Sequence, residues 1–97
     1  MSYQAHVKLV PGIKDKDIMM FSLTDCIWCN KTKELLKKLG LAYSYVDIDT
    51  LPPEEQKEAY KEMREYIPGA TIFPTVIINK GEVVINGFSE REIKELL

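Results

Sequence analysis

The chain has 97 residues, of which 45% are hydrophobic, 9% aromatic and 29% charged, enough for one core-forming soluble domain and too few for two. No apolar run approaches the roughly 20 residues that cross a bilayer, and the opening Met1-Ser2-Tyr3-Gln4-Ala5-His6 lacks the basic-then-apolar layout of a secretory leader, so a cytoplasmic protein without a membrane partner is expected. Thirteen basic against fifteen acidic residues, a net charge of −2, supply no positive field for phosphates, and nucleic acid is not an expected partner.

Residues 1–16 read as an N-terminal extension, with His6-Val7-Lys8-Leu9-Val10 alternating like an edge strand before Pro11-Gly12 and the charged Lys14-Asp15-Lys16-Asp17. His6, the only histidine, reads as a surface residue of that extension rather than a ligand or base. Ile18-Met19-Met20-Phe21 is a continuous apolar run, as in a central strand covered on both faces. Thr24-Asp25 offer capping side chains for a helix from about Cys26, with Thr32, Leu35, Leu36 and Leu39 as its buried face and Gly40 as its stop. Lys31, Lys33, Lys37 and Lys38 read as solvated. Tyr43, Tyr45, Val46 and Ile48 form a second strand, and Thr50-Leu51-Pro52-Pro53 turn into a helix with Ala59, Met63 and Ile67 inward, broken by Pro68-Gly69. Glu54 and Glu55 suit its positive end. Strands over Thr75–Ile78 and Glu82–Ile85, joined by Asn79-Lys80-Gly81, read as an antiparallel hairpin. Ser89 and Glu92 have capping-box spacing for a last helix, and Phe88 with Ile93 fits a hydrophobic staple.

Cys26 and Cys29 are the only cysteines, too few for a secreted disulfide framework, and they share one motif at a strand-to-helix junction. A thiol of pKa about 8.5 is only about 3% thiolate at pH 7, and free N–H groups at a helix start stabilise the anion. Cys26 is therefore assigned as the nucleophile. Cys29 lies one helical turn on, within disulfide reach and deeper in the fold, and is assigned as the resolving thiol. A zinc site needs about four ligands, which two cysteines and a remote histidine do not supply, so no metal is expected. Asp25 beside Cys26 either disfavours a second negative charge or caps the helix.

With Cys26-Ile27-Trp28-Cys29, Phe73-Pro74-Thr75 and Asn86-Gly87-Phe88-Ser89 in this order, residues 17–97 resemble the glutaredoxin branch of the thioredoxin superfamily. The resemblance implies an α/β, thioredoxin-like fold: a mixed four-stranded sheet in the order β-α-β-α-β-β-α, with three helices. It implies a cis peptide before Pro74 and a Phe73 backbone that pairs with the substrate chain, although by itself Pro74 equally suits an ordinary strand start. Substrate contacts are expected at Trp28, Phe73, Pro74, Gly87, Phe88 and Ser89.

The implied activity is thiol–disulfide oxidoreduction by a monomer without a bound organic cofactor. Its substrates would be protein disulfides or glutathione mixed disulfides, and its electron donor glutathione or a disulfide reductase. Many glutathione-binding members carry a lysine, a Gly-Gly pair and an aspartate where this chain has Leu23, Asn86-Gly87 and Ser89, which favours protein disulfides. Gly87-Phe88 instead resembles the redoxins that serve ribonucleotide reductase, with Phe88 acting either as a staple alone or as a staple that also touches the partner. The alternative from the same family is a cluster carrier, in which the first cysteines of two chains and glutathione hold a two-iron cluster.

Overall fold

Alternation inside single strands decides the architecture of the computed structural model, which describes residues 2–68 and 72–97. In β2 (Ile18–Ser22), Ile18 and Met20 belong to one buried cluster, while Phe21 belongs to a second and Met19 packs against it. β4 (Thr75–Ile78) divides the same way, with Val76 and Ile78 in the first cluster and Ile77 in the second. Side chains of period two thus give both central strands two covered faces. β3 (Tyr43–Asp47) runs parallel to β2; β1 (Lys8–Val10) pairs antiparallel with β3, and β5 (Val83–Asn86) antiparallel with β4. The sheet order is β1-β3-β2-β4-β5.

Three helices cover the faces. α1 (Ile27–Lys38) and α3 (Glu90–Lys94) contribute Leu36 and Ile93 to the first cluster, and α2 (Pro53–Tyr66) contributes Ala59 and Met63 to the second. α3 has only five residues, too short to persist alone in water. Its buried Ile93 holds it, at roughly 1.5–3 kcal/mol for a fully buried side chain of that size. Among the described residues no helix is long and apolar enough to cross a membrane.

The sheet has five strands rather than the four implied by the resemblance. The open edge of β3 would present unpaired N–H and C=O groups, and residues 8–10 cover it in register, Lys8 opposite Tyr45 and Val10 opposite Tyr43. The N-terminal segment does not stop there. Tyr3, only 3% exposed, joins the second cluster with its ring 6.0 Å from that of Phe21. Pro11-Gly12 does not detach it either, since Ile13 N–H donates to the Gly40 carbonyl (2.7 Å) and Ala42 N–H to the Ile13 carbonyl (2.9 Å). A Cβ on Gly12 would lie 2.5 Å from the Gly40 oxygen, so this approach requires glycine.

Element ends follow local chemistry, with a few shifts from the sequence reading. The N-cap of α1 is Cys26 itself, not Thr24 or Asp25. Gly40, at φ +74°, ends that helix in a Schellman motif: its N–H reaches the Lys37 carbonyl (3.0 Å) and that of Leu41 reaches Leu36 (3.1 Å). Ile48 falls outside β3, as the buried first residue of a 3₁₀ turn (Ile48–Thr50) whose other two residues are exposed. Ile67 is half-buried just beyond α2; Pro68 follows as a turn, and Gly69 lies outside the described residues. Glu54 and Glu55 both lie in the first turn of α2 as expected; Glu54 is exposed and Glu55 buried, with His6 Nε2 3.5 Å from its Oε1. β5 begins one residue later than expected, at Val83, because Asn79 and Lys80 take positive φ and Glu82 completes the turn.

Candidate active site

β2 ends at Ser22, and three residues of loop carry the chain to Cys26, whose extended backbone (φ −137°, ψ 110°) opens α1. The Cys26 sulfur accepts the Cys29 N–H at 3.2 Å, satisfying one of the free amides at the helix start. Cys26 and Cys29 are joined as a disulfide with their Cα atoms 5.2 Å apart. Their surroundings differ: Cys26 is half-buried, whereas Cys29 is 0% exposed. The i, i+3 spacing puts Cys29 on the same side of α1 as the inward-facing Thr32 and Leu36.

The two residues between the cysteines face solvent, Ile27 at 71% and Trp28 at 53% exposure. Trp28 stacks on Phe88 with centroids 5.7 Å apart and planes at 21°, and Lys31 Nζ sits 5.2 Å from its ring centre. Phe88 also packs against the first cluster, which contains Ile93. One ring thereby connects the core, the entry to α3 and the motif helix.

The Phe73–Pro74 peptide is cis, and Pro74 is buried. The Pro74 carbonyl accepts the Gly87 N–H at 2.7 Å, which brings the third expected segment beside the second. The Phe73 side chain turns to Tyr60, edge to face at 6.1 Å and 81°. Ser89 caps α3, its Oγ accepting the Glu92 N–H at 3.3 Å. Leu23 packs against the second cluster. The contacts tie Trp28 to Phe88 and Pro74 to Gly87, while the Ser89 hydroxyl oxygen caps its own helix.

Several contributors were not evident in the sequence. Asn86 Nδ2 donates to the Ile72 carbonyl (3.2 Å) and to Thr75 Oγ1 (2.9 Å), and Thr75 Oγ1 donates to Ile72 O (3.0 Å), so the chain before β4 is held from β5. Counting outward from the hairpin pairs Thr75 with Asn86, the one signal that could have found this. Asp49 accepts the Thr24 N–H (3.1 Å) and the Thr24 hydroxyl. Those bonds, the hydroxyl first, hold the Asp49 carboxyl below its usual range. Asp25 is exposed, and it does not cap the helix.

A family model described as glutaredoxin matches residues 18–84. A crystal structure of a glutaredoxin from Methanosarcina mazei Go1 is 41% identical, with a TM-score of 0.82 over 94% of this chain and 86% of that one. The glutaredoxin-like NrdH-redoxin of Escherichia coli, whose structure is described as the basis of a thioredoxin-like activity profile, is 25% identical, with a TM-score of 0.67 over 84% of this chain and 95% of that one. An uncharacterized glutaredoxin-like 8.6 kDa protein from a rubredoxin operon of Clostridium pasteurianum is 31% identical over 80 residues, covering 82% of this chain and 96% of the relative.

Proposed function

Because the chain belongs to the glutaredoxin family, whose members are thiol–disulfide oxidoreductases, we propose that it reduces disulfides of protein substrates through Cys26 and Cys29. The observation that carries this reading is the asymmetry of the pair: a half-buried sulfur on a helix-start amide, and a wholly buried one a turn behind it. The reduced Cys26 thiolate attacks one sulfur of the target disulfide, forming a mixed disulfide and releasing the other target sulfur as a thiolate, which takes up a proton. Cys29 then loses its proton and attacks Cys26 Sγ. The second target thiol leaves, and the chain ends in the Cys26–Cys29 disulfide described above. A disulfide reductase or glutathione returns the two electrons.

Three observations favour a protein disulfide over a glutathione mixed disulfide. Leu23 turns toward the core, Ser89 presents an uncharged hydroxyl that caps α3, and Ile27 and Trp28 offer an apolar surface beside the sulfur. The likeness to an NrdH-redoxin with a thioredoxin-like activity profile adds support.

Two variants test the reading. Cys26→Ser is expected to abolish disulfide reduction, and full retained activity would end the assignment of roles. Cys29→Ser is expected to trap a covalent complex with a protein disulfide and to stop turnover. If Cys29→Ser keeps turning over a glutathionylated peptide at the wild-type rate, glutathione mixed disulfides are the substrate instead.

A further inference from the structure

The two parallel strands that lead into the site stop pairing at Ser22 and Asp47, leaving a loop between the sheet and Cys26. Side chains continue the register where the backbone abandons it. Ser22 Oγ donates to Asp47 Oδ1 (2.5 Å), and two residues further along both chains Thr24 donates its hydroxyl and its N–H (3.1 Å) to Asp49, each pair 25 residues apart in sequence. The platform under Asp49 is firm. Its neighbour Ile48 is 0% exposed, Leu51 is 4% exposed, and Leu51 N–H closes the turn on the Ile48 carbonyl at 3.1 Å. Asp25, by contrast, makes no side-chain hydrogen bond among the described residues and Leu23 is held by packing against the second cluster, so Thr24 carries the side-chain hydrogen bonds of this loop.

We propose that Asp49 is a positioning residue for Cys26: through Thr24 it fixes the loop so that the Cys26 sulfur stays on the amide of Cys29. The inference rests on the reading of Cys26 as nucleophile. In the oxidised chain the disulfide itself holds that sulfur. Once it is reduced, the loop's own ties must keep the thiolate at the helix start, where the amide groups stabilise it. A carboxylate suits the task because it accepts both Thr24 donors at once.

The test uses the reduced full-length protein and the pH dependence of Cys26 alkylation by iodoacetamide, to which the wholly buried Cys29 contributes little. Asp49→Ala is expected to move the midpoint up by about half a unit or more. It is also expected to slow reduction of a protein disulfide about 3- to 10-fold in kcat with KM unchanged. Loss of the negative charge alone would move the midpoint down, so the direction separates positioning from charge. Asp49→Asn, whose Oδ1 still accepts the Thr24 N–H while its Nδ2 donates to the Thr24 hydroxyl oxygen instead of accepting from it, keeps both ties and is expected to stay within about 2-fold of wild type, and adding Thr24→Val to Asp49→Ala should change little further. An unchanged or lowered midpoint in Asp49→Ala, or an Asn variant as slow as the Ala one, overturns the proposal. Should the Ala variant not fold, Thr24→Val replaces it, and a curve superimposed on wild type would be equally decisive. Retained activity in Cys26→Ser would sink the nucleophile assignment instead, a result that the alkylation of Cys26 does not share.

Discussion

Phe88 joins two environments through one ring, packing against the cluster around Ile93 and stacking on Trp28 beside the disulfide. Offset stacks of this kind contribute about 0.5–1.5 kcal/mol beyond area burial, while leucine keeps most of the apolar volume and loses the stack. Phe88→Leu is therefore expected to leave the unfolding free energy within about 1.5 kcal/mol of wild type and to raise KM for a protein disulfide about 3- to 10-fold. A KM that does not move would assign Phe88 to the staple alone. The sequence announces Cys26, Cys29 and Ser89 because each role depends on neighbours within one helical turn. Trp28 against Phe88 and Thr24 against Asp49 are products of strand register and helix docking, which spacing along the chain does not encode, whereas Asn86 against Thr75 follows from the hairpin register.

The same division holds for whole elements, and α1 illustrates it. Apolar periodicity identifies its inward face, and Gly40 identifies its end. Its four lysines look alike on paper and differ in the fold. Lys37 and Lys38 are exposed, whereas Lys33 is only 19% exposed, sits 2.9 Å from Asp47 Oδ1 and lies 4.3 Å from the Tyr45 ring centre. Asp47 also accepts the hydroxyl of Ser22. Lys33 thereby links the motif helix to the C-terminal ends of both parallel strands, and its removal leaves a mostly buried carboxylate short of its cation. Lys33→Ala is expected to cost about 1–3 kcal/mol in urea unfolding, with little dependence on salt, against no more than about 0.5 kcal/mol for Lys37→Ala. Equal effects of the two substitutions would show that the ion pair contributes nothing to docking α1.

At the scale of the molecule, the N-terminal segment changes what counts as the fold. Alternation over residues 6–10 suggests an edge strand, yet nothing local indicates that Tyr3 reaches the core. That contact depends on α2, whose Glu58 accepts the Tyr3 N–H (2.6 Å) and whose Glu62 accepts the Tyr3 hydroxyl. Tyr3→Ala removes a ring buried in the second cluster and is expected to cost about 3–5 kcal/mol. Such a loss lowers the melting temperature by well over about 10 °C in a domain of this size; a drop of only a degree or two would mean that the segment is an appendage to a core complete without it. The hydroxyl gives an independent handle. Burial first, and then the Glu62 carboxylate, push the Tyr3 phenol well above its ordinary 10.0. A pKa raised in the folded state means that the unfolded tyrosine ionises first as pH rises. The contribution is thus complete below about pH 10 and drains away above it. Tyr3→Phe keeps the ring and has no proton to lose, so its stability is expected to fall less steeply than wild type between pH 9 and 11 in urea titrations, with a smaller fixed loss at pH 7 from the missing Glu62 bond. Parallel curves over that range would place the Tyr3 hydroxyl outside the folding linkage, leaving its ring as the segment's anchor.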